Sequence, residues 1–107
     1  MTDMANFTIL AEWNGGTYVA QHSASSPSHA ILRWLARLDP RTIPGLGEKG
    51  RTAILQHLKE GFIVSPPMPI TGLAGVWCAS GLVKRRLFLI HLVQSEQVVK
   101  RRLPRRV

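Results

Sequence analysis

A chain of 107 residues, 45% hydrophobic by composition, carries enough apolar surface for one modest core and not for two. Its single cysteine, Cys78, excludes an internal disulfide framework, and no apolar run approaches the roughly 18 residues that a membrane-spanning helix needs. The formal charge of +8 favours anionic partners. The opening residues Met1-Thr2-Asp3-Met4-Ala5-Asn6 lack the basic-then-apolar pattern of a secretory signal, so a cytoplasmic location is expected.

Phe7 to Trp13 and Thr17 to His22 read as two strands joined by Asn14-Gly15-Gly16, residues that tolerate the positive φ of a tight turn. In the second arm Thr17, Val19 and Gln21 share one face and Tyr18, Ala20 and His22 the other, with neither set marked as the buried one. Ser23 to Ser26 form a loop before the clearest helix: a serine cap, Pro27 in the first turn, then Ala30, Ile31, Trp34, Leu35 and Leu38 at helical spacing. Asp39-Pro40 ends it, because the residue before a proline is steered away from the α conformation. His29, Arg33 and Arg37 stand four apart and form a basic stripe on its exposed side.

Thr42 to Gly47 is a connection. A second helix is expected over Glu48 to Glu60, with Ile54, Leu55 and Leu58 inward and Gly61 as its stop. Phe62-Ile63-Val64 reads as a short strand, and Ser65-Pro66-Pro67-Met68-Pro69 as an extended loop. Gly75 to Ser80 then forms a strand that turns at Ser80-Gly81 into a longer one reaching Val93. Leu87-Phe88-Leu89-Ile90 is apolar on both faces, as in a central strand; Val83, Leu87, Ile90 and Gln94 also keep helical spacing, so residues 87–100 stay open between strand and helix. The expected fold is α+β in the order ββαα(β)ββ, a small, mostly antiparallel sheet with two helices on one face. It occupies a single domain over residues 1–94, and residues 95–107 are expected to form a flexible basic tail.

Catalysis finds little to recruit. The six acidic residues form no evident pair for general acid–base work. Cys78, beside Trp77 in an apolar strand, reads as a small buried hydrophobe; a nucleophilic role requires His22, His29, His57 or His91 within hydrogen-bond reach. The four histidines lack metal-ligand spacing, so no metal, no cofactor and no enzymatic activity are expected. Trp34 and Trp77 read as core, whereas Trp13, next to the turn, is the tryptophan expected to be exposed.

The positive charge is uneven. Residues 96–107 hold five Lys/Arg against one acid, and residues 1–95 hold nine against five. Lys84-Arg85-Arg86, read as strand residues, send Lys84 and Arg86 to one face and Arg85 to the other. Together with Arg33, Arg37 and the tail's Lys100, Arg101 and Arg102, they are the candidate phosphate contacts. The same triplet equally suits a guard against edge-to-edge strand pairing.

Two stretches resemble known families. A strand, a Gly-Gly turn, a second strand with Gly16-Thr17-Tyr18-Val19-Ala20 and a helix after a small-residue loop make residues 7–38 resemble the amino-terminal part of HicB-like antitoxins. That resemblance implies a toxin-binding role without catalytic residues. Members of that family are acidic there and add a third strand ahead of the helix, where this chain has Ser23 to Ser26 and a basic helix face. Ile43-Pro44-Gly45-Leu46-Gly47 followed by Thr52-Ala53-Ile54-Leu55 is similar to the hairpin of helix-hairpin-helix DNA-binding proteins, with Arg51 where that family has a small residue.

These readings lead to a non-catalytic basic binding module that contacts DNA or RNA through phosphates. The alternative is a protein-interaction module of the antitoxin or immunity type, presenting a sheet edge or the Pro66-Pro67-Met68-Pro69 loop to one protein partner. No membrane partner is expected, and the sequence leaves the oligomeric state open.

Overall fold

The computed structural model describes residues 4–64 and 67–95. Strands β1 (Ala5–Trp13) and β2 (Gly16–Ala24) pair without a bulge from Ala5↔Ala24 to Trp13↔Gly16. Asn14 and Gly15 form the turn at φ 50 and 84, the left-handed pair whose twist matches that of a hairpin.

Helix α1 (Pro27–Arg37) begins as its sequence requires, with Ser26 Oγ accepting a hydrogen bond from the His29 backbone N–H at 3.1 Å and Pro27 in the first turn. A 3-10 turn over Pro40–Thr42, capped by Asp39, leads on to α2 (Gly47–Val64). Here two expectations fail. Gly61 does not stop the helix, and Phe62-Ile63-Val64, read as a strand, belong to its last turn. A glycine inside a helix costs only about 1 kcal/mol relative to alanine, and no residue that forbids helix follows until Pro66 and Pro67. The extra strand is instead β3, the two residues Met68–Pro69.

The last hairpin corrects a third expectation. β4 (Val76–Val83) and β5 (Arg86–Ser95) are joined at Lys84-Arg85 and not at Ser80-Gly81. Gly81 lies mid-strand opposite Phe88, where an added Cβ would stand 2.8 Å from the Phe88 ring and 3.2 Å from Nε2 of His57 on α2. Its role is to let ring and helix approach the backbone. Residues 86–95 are therefore strand, and Ser95, expected as the first residue of the tail, completes it. The remainder of the expected tail, 96–107, lies outside the described residues.

The five strands form one antiparallel sheet in the order β2-β1-β5-β4-β3. β5, the last of the described strands, inserts between β1 and β4, and this central position accounts for its doubly apolar run. α1 packs on β2 and β1 and α2 on β4, with both helices on the same face. The fold is α+β with element order ββααβββ. Phe7, Ile9, Ala11 and Trp13 from β1 meet Phe88, Ile90 and Leu92 from β5 beneath Ile31, Trp34 and Leu35 of α1 and Ile54 and Leu58 of α2. Trp13, expected at the surface, is buried, and its Nε1 donates to the Val83 carbonyl at 3.3 Å. Its odd position in β1 puts it on the helix side with Phe7, Ile9 and Ala11.

Candidate functional site

Register decides what the other side of the sheet presents. Residues paired directly across neighbouring strands share a face, so the side away from the helices carries the apolar Leu10, Val19, Leu87, Leu89, Val93, Val76, Cys78, Leu82 and Met68, interleaved with the polar Asn6, Thr8, Glu12, Thr17, Gln21, Ser23, Ser80, His91 and Ser95. Nothing among the described residues covers it. Seven large apolar side chains are exposed among those residues, and five of them (Val19, Met68, Leu82, Leu87 and Val93) lie on this face. Val19 is 65% and Leu82 66% exposed. Among the described residues the face carries no Lys or Arg, and Glu12 is its one acid. One end is polar, where Gln21 Nε2 donates to Thr8 Oγ1 and Thr8 Oγ1 meets Ser95 Oγ, each at 2.9 Å. The face's apolar residues line up along Val19, Leu10, Cys78 and Met68 and again at Leu82 and Leu87, with uncharged polar residues between and around them, and a charge-poor mixed surface of this kind suits an interface.

Cys78 stands on this face, directly opposite His91 on β5 and Met68 on β3. By the alternation that the two-residue turn sets, Cys78 and His91 are a non-hydrogen-bonded pair, the closer of the two kinds. Sequence reasoning named both residues and missed the pairing, because the signal is the register of β4 on β5 and that hinged on the turn. Among the described residues no hydrogen bond joins the two, and no carboxylate lies directly opposite the histidine to orient it: Leu10 does, and Glu12 faces Leu89, the next position along the open face. On a flat, open surface this pair lacks the third group and the enclosure that nucleophilic catalysis uses. The apolar void between Trp13, Trp34, Leu35 and Leu46 measures ≈ 20 Å³, about the size of one water.

The candidate cations separate into two groups. Arg33 and Arg37 stand on α1, half-exposed and exposed, beside β2. His22 on β2 feels them: burial first, then Arg37 and Arg33, lower its pKa below the ordinary histidine value. Lys84, Arg85 and Arg86 belong to the β4–β5 turn and the first residue of β5, and Arg86, opposite Val83, points to the helix side. The face-splitting expected of this triplet therefore does not hold. Lys84 and Arg85 occupy the left-handed region at φ 52 and 64, the geometry that Asn14-Gly15 supplies in the other hairpin. Lys84 Nζ donates to the Gly45 carbonyl at 2.9 Å, tying this turn to the loop before α2. None of these five cations is ion-paired among the described residues, where the pairs are Arg41 with Asp39 and Arg51 with Glu48. Lys100, Arg101 and Arg102 lie outside the described residues.

Arg51 is structural. Its Nη1 donates to the Leu35 carbonyl at 2.9 Å and its other nitrogens bind Glu48, so it ties α2 to the end of α1. Hydrogen bonds from Arg51 hold the Glu48 carboxyl below the usual range, as those from Arg41 hold Asp39 at about 2. No known protein family, characterised protein or solved structure matches the chain.

Proposed function

We propose that the protein is a non-catalytic protein-interaction module that binds through the open face of its sheet. The observation that carries this reading is the clustering, among the described residues, of five of the seven exposed large apolar side chains on one face without Lys or Arg, in a chain of charge +8. Contiguous exposed apolar surface of a few hundred Å² on a small domain marks a binding site. The face suits nucleic acid poorly, since it offers neither cations for phosphates nor aromatic rings for bases. Affinity capture from extracts of the source cells tests the reading with variants. A protein partner should be held by the wild type and by Arg85→Glu, and lost with Leu82→Glu. Capture that survives Leu82→Glu and disappears with Arg85→Glu or nuclease overturns it.

One observation favours a second reading, contact with a polyanion. Two cations occupy a strained left-handed turn that asparagine and glycine fill more easily, and Arg86 adjoins them without an acidic partner among the described residues. DNA or RNA bound there through phosphates would dissociate steeply with salt.

A further inference from the structure

We infer that the occupant of the open face is a second copy of this chain, packed sheet against sheet. This rests on reading the open face as a binding surface. Four strands spaced ~4.8 Å apart, each about nine residues long at ~3.3 Å per residue, present ~570 Å². A face-to-face pair therefore covers roughly 1,100 Å², just above the ~1,000 Å² that a specific interface needs. Sheets packed in this way bury both inner faces as one apolar layer.

Charge selects the same occupant. The chain's cations give it attraction for acidic surfaces, but those among the described residues stand on α1, on the 3-10 turn, on α2 and at the β4–β5 turn, away from this face. An acidic partner seated on the open face gains nothing from them, whereas a charge-poor apolar surface fits it, and every copy carries one. The open edge of the sheet is the competing route to self-association. β2 is nine residues long, has no proline or lysine and among the described residues pairs on one side only; the opposite edge, β3, is two residues long and ends in Pro69. Pairing β2 with its copy brings Arg33 and Arg37 of both chains together beside the same two strands, and such like-charge contacts oppose it. The open face carries no such conflict.

Salt gives the proposal a sign of its own. Two chains of charge +8 repel over distances that salt screens, while apolar burial survives screening, so dimerisation strengthens as salt is added and polyanion binding weakens. Sedimentation equilibrium of the full chain from micromolar to millimolar concentration, at low and high salt, tests this. The expected result is a mass approaching twice 11.9 kDa, with a dissociation constant of micromolar order that falls with salt. Leu82→Glu and Leu87→Glu, both at side chains more than half exposed and thus compatible with the folded monomer, should each weaken the dimer about tenfold or more, with unchanged circular dichroism. A chain that stays monomeric throughout, or a dimer that both variants leave intact, overturns the proposal. The broader reading fails separately. A monomer whose protein partner is lost with Leu82→Glu keeps the open face as a binding surface and removes only the second copy, whereas a monomer whose captured partners ignore Leu82→Glu removes both.

Discussion

Adjacent residues of β5 live in different worlds. Phe88, Ile90 and Leu92 are buried under the helices, while Leu87, Leu89 and Val93 lie on the uncovered side, Leu87 more than half exposed and Val93 exposed. Both sets are apolar. The described residues form two α-helices, both on one face, so the apolar residues of the second face have no cover among them. A strand that is apolar on both sides therefore signals two layers of cover, and only one of them comes from the described residues of its own chain.

The sharpest way to break the comparison is to truncate one residue on each face. Ile90→Ala should destabilise the fold by about 2–5 kcal/mol, the range for removing a fully buried branched side chain. Leu87→Ala, on the same strand, should move the monomer by less than about 0.5 kcal/mol, as exposed positions do. Denaturation midpoints of dilute protein check both, and equal losses would erase the distinction between the faces. On β4, Gly81→Ala sets a methyl against the Phe88 ring and should cost about 1–3 kcal/mol, while Ser80→Val, exposed on the open side, should leave the midpoint near that of the wild type.

The sequence yielded the first half of the fold more readily than the second, for reasons that lie in particular residues. Asn14-Gly15 and the Ser26-Pro27 cap are strong local signals, and β1, β2 and α1 follow them. Lys84-Arg85 is not a recognised turn pair, so Ser80-Gly81 drew the turn to itself and shifted the register of β4. With that register lost, the alignment of Cys78 with His91 and Met68, and the open face itself, stayed hidden. Trp13 was misread from its nearness to a turn, although the parity of β1 with Phe7, Ile9 and Ala11 marked it as core. The charged residues were easier to name than to place: Arg33 and Arg37 sit on α1 as expected, and of the Lys84 triplet Arg86 alone lies in a strand, with Lys84 and Arg85 forming the turn before it.

Smaller effects sharpen the contrast at the margins. Arg85→Gly should raise stability by about 0.5–1 kcal/mol, because glycine adopts the left-handed conformation without a side-chain clash. The same substitution should weaken any polyanion binding, so a midpoint shift without loss of DNA or RNA affinity would remove this turn from the second reading. pH acts most gently. Asp39 titrates at about 2 in the fold against 3.8 ordinarily, so its contribution is present above pH 4 and fades as pH falls from about 4 toward 2. His22, on the covered face of β2, has a folded pKa below 6.5; protonation therefore favours the unfolded chain, and stability declines as pH falls below 6.5. Asp39→Asn should flatten the lower window and His22→Gln the upper one in urea titrations across pH.

Cys78 lies on the open face and reports on its cover directly. The alkylation rate of its thiol, followed as the protein concentration rises from low micromolar to millimolar, should fall in proportion to the dimer formed and return to the dilute value in Leu82→Glu. A rate that stays constant across that range, in wild type and variant alike, would contradict a second copy seated on this face.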